Sequence, residues 1–306
     1  MTVALFAEQV LNGLQFGIML FLMAAGLTVI FGVMGVINLA HGSLYMIGAF
    51  ACAAVAAATG SFWLGLVASL IAAAFAGVII EMLVIRRLYV RDHLDQVLAT
   101  FALILIFSEG TRYLFGSFPL YLNIPDALSQ PVTLPFGITY PSYRLAIIGI
   151  GIMLAVLVFL LIQKTRIGIQ VRAGESDREM IGALGVDIAK LYTLLFAVGA
   201  ALAGLAGALV GALQSVQVGM GEPVLILAFV VIVIGGIGSI KGALIGALIV
   251  GLTDTLGRTL LPPLFATFME TSSAMGVGAS LSSMLIYVVM AAILVVRPGG
   301  LYGKPA

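Results

Sequence analysis

Runs of about 20 apolar residues recur along this chain, and they constrain its fold more than any other feature. A stretch of this length is what an α-helix needs to cross the hydrocarbon core of a bilayer. Only 9% of the 306 residues are charged and the mean hydropathy is +1.23, whereas about a quarter of the residues in a soluble domain are charged. The sequence therefore predicts an all-α, polytopic transmembrane bundle.

Eight apolar runs are the candidate membrane spans. They lie near Gln9–Gly32, Ser43–Ala58, Phe62–Ile85, Gln96–Gly116, Tyr143–Ile162, Leu191–Leu213, Pro223–Leu256 and Leu281–Val296. The seventh run is too long for one untilted span, and GGIGSIKG (235–242) interrupts it. We expect one domain (1–306) of eight to nine spans with two glycine-rich broken helices, one at GVINLAHG (35–42) and one at GGIGSIKG.

The positions of Lys and Arg predict the orientation, because cytoplasmic loops carry an excess of these residues. Ten of the fourteen fall in RRLYVR (86–91), in residues 163–190 and in the tail RPGGLYGKPA. Residues 117–142 contain none, so this loop is predicted to be external, and its PVTLPFGITYP predicts a short hairpin. The first apolar run lacks a basic flank typical of a cleaved signal, so we expect it to be retained as a span. The N-terminus would be external and the C-terminus cytoplasmic.

Several function classes are disfavoured by the sequence. A net charge of +1 argues against nucleic-acid binding, which needs a basic face. GGIGSIKG is not a nucleotide-binding P-loop, because Lys241 is followed by Gly242 rather than Ser or Thr. We find no assembled nucleophile or metal cluster, so we expect no enzyme activity and no cofactor, with ATP-driven work supplied by a partner. The lone Cys52 is expected to pack in an alanine-rich helix.

Polar side chains in the apolar runs are the candidate functional groups. Asn38 and His41 would share one face of a continuing helix, where they could line a wet path or cross-link helices. The spacing also predicts two ion pairs near external helix ends, Glu109 with Arg112 and Asp254 with Arg258. In a cation-coupled carrier, by contrast, the two carboxylates would be coupling sites.

The segment AGESDREMIGALGVD predicts a short helix in the cytoplasmic loop. Ser176 and Glu179 have the spacing of a capping box, and Gly185 is a helix stop. Met180, Ile181 and Leu184 would form an apolar stripe between them. Such a helix is too short to be stable alone, so we interpret it as a peg that docks into another protein. The alternative is a helix that lies on the membrane or against its own bundle.

Three separated segments resemble one family. GLTVIFGVMGVINLAHGSLYMIGAF, GESDREMIGALGVDIAKLYTLLFAVGAALAGLAGAL and VVIVIGGIGSIKGALIGALIVGL with the ending RPGGLYG are similar to branched-chain amino acid ABC importer permeases, the smaller (H-type) membrane subunit. The resemblance implies a second permease, two cytoplasmic ATPases, an external solute-binding protein and a leucine, isoleucine and valine substrate, in the inner membrane of a bacterium. Urea or amides, or a cation-coupled secondary transporter, are the alternatives.

The resemblance also implies roles for individual residues. The ATPase-coupling residues would be Glu175, Ser176, Arg178, Glu179, Met180, Ile181, Leu184 and Gly185. The residues beside the translocation path would be Asn38, His41, Gly42, Gly235, Gly236 and Ser239. The external loop 117–142 would help to receive the solute-binding protein.

Overall fold

The computed structural model describes residues 3–303, except the side chains of Val3, Phe136, Glu175 and Arg178, so Lys304 of the basic tail lies outside it. Over this range the chain is mainly helical. The helices are α1 (Val3–Met34), α2 (His41–Thr59), α3 (Phe62–Ile80), α4 (Arg86–Leu88), α5 (His93–Phe115), α6 (Ser142–Lys164), α7 (Arg166–Ser176), α8 (Arg178–Ala183), α9 (Ile188–Gly211), α10 (Gly221–Gly235), α11 (Ile240–Phe265) and α12 (Thr271–Val296). A π-helical turn, Glu81–Ile85, joins α3 to α4 without a break in the rod.

The number of helices that could span a membrane agrees with the sequence-based expectation. Among the described residues, eight helices are long and apolar enough, and α10 is a further apolar helix of only 15 residues. At about 1.5 Å per residue α10 extends over roughly 22 Å, less than the hydrocarbon thickness of a bilayer. The predicted all-α polytopic membrane protein with eight to nine spans is therefore confirmed.

Local capping residues explain several helix boundaries. The Ser61 hydroxyl accepts from the Leu64 N–H at the start of α3, and the Asp92 carboxylate accepts from the Asp95 N–H at the start of α5. These bonds satisfy backbone donors that a helix start leaves free. Gly60, with φ of +68°, ends α2 in the left-handed conformation that glycine adopts without strain.

The predicted hairpin forms in the loop between α5 and α6. Strand β1 (Pro131–Leu134) pairs antiparallel with β2 (Ile138–Pro141). Tyr140 is buried, and its hydroxyl donates to the side-chain oxygen of Asn12 at 3.0 Å. Burial raises the pKa of the Tyr140 phenol. The hairpin is thereby bonded to the first half of α1.

The chain divides into two compact units with interleaved segments. Unit 1 comprises the residues up to Phe21, Asp126–Ile152 and the residues from Phe229 onward. Unit 2 comprises Leu22–Pro125 and Met153–Ala228. In unit 1, α11 packs along α12, and Gly17 of α1 lies against the backbone of Ala247.

Unit 2 is built around α2, α3 and α9, each of which packs against the other two. Glycines make this packing close: a Cβ atom added at Gly48 of α2 would collide with the backbone of Gly204, and one added at Gly26 would lie 2.6 Å from the Gly199 carbonyl oxygen. Small residues let membrane helices approach backbone to backbone, where dispersion contacts supply most of the attraction. Cys52 is buried in this core, against Gly65 of α3.

We predict that Gly48→Ala destabilises the folded protein by about 1–3 kcal/mol, since the obstacle is backbone that cannot rotate away. The matched control is Gly110→Ala in α5, where an added Cβ meets no atom within 4 Å among the described residues. The control should be neutral or slightly stabilising, because alanine favours helix. Thermal unfolding of the detergent-solubilised variants measures both. Equal melting temperatures for the two variants would contradict the packing argument.

Candidate functional site: two helix breaks and an exposed short helix

The first break lies between α1 and α2, at residues 35–40. Gly35 has φ of +67°, and its N–H donates to the Phe31 carbonyl at 3.0 Å, which ends α1. The helix does not continue to His41, so the expected helical face shared with Asn38 does not form. Instead Asn38 lies in the non-helical segment and His41 is the first residue of α2.

Gln96 of α5 holds this break in place. Its side chain is almost fully buried, and its oxygen accepts from the Ile37 N–H at 3.2 Å. Its amide nitrogen donates to the carbonyls of Leu88 and Arg91, at 3.3 and 3.2 Å. Gln96 therefore bonds the non-helical segment to the turn that follows α4, and it satisfies the Ile37 N–H, which the break would otherwise leave free.

Several buried polar atoms of residues near this break in the sequence have no hydrogen-bond partner in the described part of the protein. Among the described residues they are Thr28 Oγ1, both side-chain heteroatoms of Asn38, both ring nitrogens of His41, Ser43 Oγ and the Tyr45 hydroxyl. The backbone of Met23 lies near the His41 ring, but without full hydrogen-bond geometry. Buried polar atoms are almost always bonded to protein or to water. These atoms are therefore candidates for hydrogen bonds to water or to a solute.

The third residue predicted for this part of the path, Gly42, has a packing role in the structure. A Cβ atom at Gly42 would lie 2.9 Å from the carbonyl oxygen of Gly221, at the start of α10. The absence of a side chain thus lets α2 and the first turn of α10 touch through their backbones.

The second break separates α10 from α11. Gly236 and Gly238 have φ of +98° and +80°, and the hydroxyl of Ser239 accepts from the Gly242 N–H at 3.0 Å. Gly235 and Gly242 pack backbone against backbone, so neither position has space for a Cβ atom. Ser239 therefore caps α11, while the glycines make the turn and the close approach.

The C-terminal tail completes the second break, which sequence reasoning did not anticipate. The N–H groups of Leu301 and Tyr302 donate to the carbonyls of Ile234 and Gly235, both at 2.9 Å. These carbonyls belong to the last turn of α10, where no intrahelical donor remains. The only signal in the sequence is the glycine content of PGGLYG, which allows this close approach.

The structure corrects the predicted cap of the coupling segment. Asp177, not Ser176, is the N-cap of α8: its carboxylate accepts from the Met180 N–H at 2.9 Å, and Ser176 is the last residue of α7. An aspartate is as good an N-cap as serine, and here it stands one residue closer to the helix. The predicted stop is confirmed, since Gly185 has φ of +87°. The side chains of Glu175 and Arg178 lie outside the described part of the chain.

The three apolar residues of the α8 stripe differ in how far they are exposed. Ile181 is 6% exposed, whereas Met180 and Leu184 are 59% and 76% exposed. Glu179 and Ser176 are also exposed. Ile181 therefore anchors the segment to its own unit, which leaves two large apolar side chains uncovered.

A pocket of about 360 Å³ lies beside this segment, bordered by Leu184, Val186 and Leu191 among others. Asp187 at its edge caps α9 by accepting from the Lys190 N–H and pairs with the Lys190 ammonium group at 3.1 Å. These bonds hold the pKa of Asp187 below its ordinary value. The surface here combines exposed apolar groups with a fixed carboxylate.

Both ion pairs predicted from spacing form. Arg112 contacts Glu109 at 2.6 Å, and the Nε of Arg258 lies 2.9 and 3.0 Å from the two oxygens of Asp254. Each carboxylate is thus neutralised by an arginine on its own helix, which favours the ion-pair interpretation over a cation-coupling site. In the described part of the chain, no group of three His, Cys, Asp or Glu side chains could hold a metal ion.

Sequence reasoning missed one buried charged cluster. Glu81 is fully buried at the start of the π-helical turn and pairs with Arg86 at 2.9 Å. Tyr89 and Thr193 also donate to its carboxylate, at 2.8 and 2.7 Å. Glu81 and Arg86 are five residues apart, a spacing that meets on a π-turn and not on a regular α-helix. The signal in the sequence was a single acid in an apolar run five residues before an arginine.

Comparison with known proteins agrees with this architecture. Residues 9–294 match the family model described as branched-chain amino acid transport system, permease component. The high-affinity branched-chain amino acid transport system permease LivH of Escherichia coli K12 is 29% identical over 98% of this chain and 96% of its own. BraD of Pseudomonas aeruginosa is 28% identical over the same shares, and the probable LivH of Methanocaldococcus jannaschii is 27% identical over 93% and 89%. This chain is a multi-pass membrane protein that belongs to the branched-chain amino acid transport system permease family.

Proposed function

We propose that this chain is one of two permease subunits of an ATP-driven importer for leucine, isoleucine and valine. The observation that carries the proposal is the match to the permease family over residues 9–294, which includes both helix breaks and α8. The named relatives supply the substrate class, because they are described as high-affinity branched-chain amino acid permeases. The partners would be a second permease, two cytoplasmic ATPases and an external solute-binding protein.

The proposed orientation places α7, α8 and the RRLYVR turn in the cytoplasm and the β-hairpin loop outside. The distribution of Lys and Arg supports it. An ATPase that binds cytoplasmic ATP can contact α8 only in this orientation. The chain would lie in the cytoplasmic membrane with its N-terminus external and its C-terminus cytoplasmic.

The proposed mechanism uses α8 as a peg. Met180 and Leu184 fill an apolar groove of the ATPase, as docked helices do, while Ile181 keeps the peg attached to the permease. When the ATPases close around ATP, the peg moves with them and the helix breaks rearrange. Asn38, His41 and Ser43 then offer hydrogen-bonding groups to water or to the charged ends of the amino acid.

Reconstitution tests the function directly. The complex, purified with its ATPases and binding protein, is placed in liposomes, and uptake of radiolabelled leucine is measured. We expect uptake to require ATP on the ATPase side and binding protein on the other. Leucine uptake by the permease alone, driven by a proton gradient, would overturn the proposal. Uptake of urea but not of leucine would overturn the substrate assignment only.

We predict that the double variant Met180→Asp, Leu184→Asp releases the ATPases, because each carboxylate would have to be desolvated in an apolar groove. ATPase retention in a pull-down should fall at least about tenfold, the effect of losing one well-packed anchor. The control is Val90→Asp in the RRLYVR turn, where the side chain is 89% exposed. Full retention of the ATPases by the double variant would refute the docking role of α8.

We predict that Ser43→Ala and Asn38→Leu leave the protein folded but reduce leucine uptake. Removing a buried polar group without a protein partner costs little stability, whereas a lost hydrogen bond to the solute or its water slows transport by about tenfold. Ser69→Ala is the matched control, since Ser69 is equally buried but its hydroxyl donates to the Leu66 carbonyl at 2.8 Å. Equal uptake by all three variants and the wild type would restrict Asn38 and Ser43 to packing.

A further inference from the structure

Glu81 is bonded to two separate elements of unit 2. Its carboxylate accepts from Arg86 Nε and Nη2, at 3.1 and 2.9 Å, and from Tyr89 at 2.8 Å, all close by in the chain. The fourth donor, Thr193, stands on α9 and also accepts from Arg86 Nη2 at 2.7 Å. Both carboxylate oxygens are therefore used, and one carboxylate joins the end of α3 to α9.

The α9 side of this cluster is close in sequence to α8. Asp187 caps α9, and Thr193 follows six residues later, at about 9 Å along the axis for a rise of 1.5 Å per residue. The segment between the two helices, residues 184–187, is short and ends at that cap. Only residues 184–187 and the first turns of α9 therefore separate α8 from Thr193, the residue of α9 that bonds Glu81.

The other side of the cluster reaches the first helix break. Tyr192, next to Thr193, donates to the carbonyl of Val33 in the last turn of α1, at 3.2 Å. The Tyr89 ring packs edge-on against the Tyr192 ring, with centroids 5.3 Å apart. The last turn of α1 and the end of the RRLYVR turn are thus held to the same part of α9.

A second connection runs through Gln96. Its amide nitrogen binds the carbonyls of Leu88 and Arg91, and its oxygen binds the N–H of Ile37 inside the break. The turn anchored by Arg86 is therefore bonded to the non-helical segment that carries Asn38. Two chains of contacts join α9 to residues 33–37, one through Tyr192 and one through the turn and Gln96.

The physical consequence is that these elements move together. Leaving a buried carboxylate without its hydrogen-bond donors would strongly destabilise the protein. α9 therefore cannot slide past α3 unless other donors replace those that are lost. The π-turn that carries Glu81 is the kind of helical irregularity often found at functional sites. A two-position arrangement of this cluster would link the position of α8 to the shape of the break.

We propose that Glu81 is a positioning residue for transport: with Arg86, Tyr89 and Thr193 it transmits movement of the ATPase-coupling segment, residues 177–187, to the break at residues 35–40. The inference rests on the proposed ATP-driven function and adds to it the contacts through which movement of the coupling segment reaches the break. Asn38, His41 and Ser43 would meet the solute, whereas Glu81 would act only through the elements it joins.

The test compares Thr193→Val and Glu81→Gln in the complete complex, in liposomes with the binding protein. Thr193→Val removes the bond to α9 and keeps the shape of the side chain. Three quantities are measured: retention of the ATPases, ATP hydrolysis, and leucine molecules transported per ATP hydrolysed. We expect normal retention and continued hydrolysis, with the transported leucine per ATP reduced at least about fivefold, the lower end of typical coupling energies.

Glu109→Gln is the control, since it breaks an exposed ion pair with Arg112 and should leave leucine transported per ATP unchanged. Destabilisation alone would reduce the amount of complex but not the ratio of leucine to ATP in the complex that remains. An unchanged ratio in Thr193→Val would overturn the role of the cluster even if Glu81→Gln fails to fold. Failure of the wild-type chain to bind any ATPase would instead overturn the proposed function.

Discussion

The requirement that every backbone N–H and C=O in a lipid environment be bonded within the protein governs this structure. Regular helices meet this requirement with their own hydrogen bonds, so other groups are needed only where a helix ends. At the first break the side chain of Gln96 supplies the acceptor for Ile37, and at the second the C-terminal tail supplies donors for the end of α10. Each break therefore depends on hydrogen bonds from a segment that is distant in sequence. Without that segment, backbone groups at the break would have no partner in the protein.

Glycine-mediated contact is the second consequence of the same solvent. Lipid is as apolar as leucine, so burial of apolar side chains gives little reason for helices to associate, and close backbone packing takes over. The contacts of Gly48 with Gly204 and of Gly42 with Gly221 leave no space for even a methyl group. At these positions any larger residue would therefore force the helices apart.

Features that depend on residues close together in the sequence could be predicted, whereas features that depend on contacts between distant residues could not. The spans, the hairpin, the Gly185 stop and the ion pairs at i,i+3 and i,i+4 rest on local pattern, and all of them are confirmed. The two helix breaks were predicted from their glycines, and because Gly35 ends α1 at the first of them, Asn38 and His41 do not share a helical face. The cap at Ser176 was wrong by one residue, since Asp177 competes for the same role. The Glu81 cluster was missed, because it depends on a π-turn and on a contact to Thr193 more than 100 positions away.

The buried polar groups of unit 2 fall into two classes, and the difference between them follows from hydrogen-bond accounting. Glu81 and Gln96 have all their donors and acceptors occupied by protein, so they fix helix ends relative to each other and gain nothing from a solute. Asn38, His41 and Ser43 have no such partners among the described residues, and leaving buried polar groups without hydrogen bonds costs free energy. In the proposed function, the carboxylate and ammonium groups of the amino acid would supply those bonds. The proposed roles follow this division: Glu81 and Gln96 join helices to each other, and Asn38, His41 and Ser43 would bond to the solute.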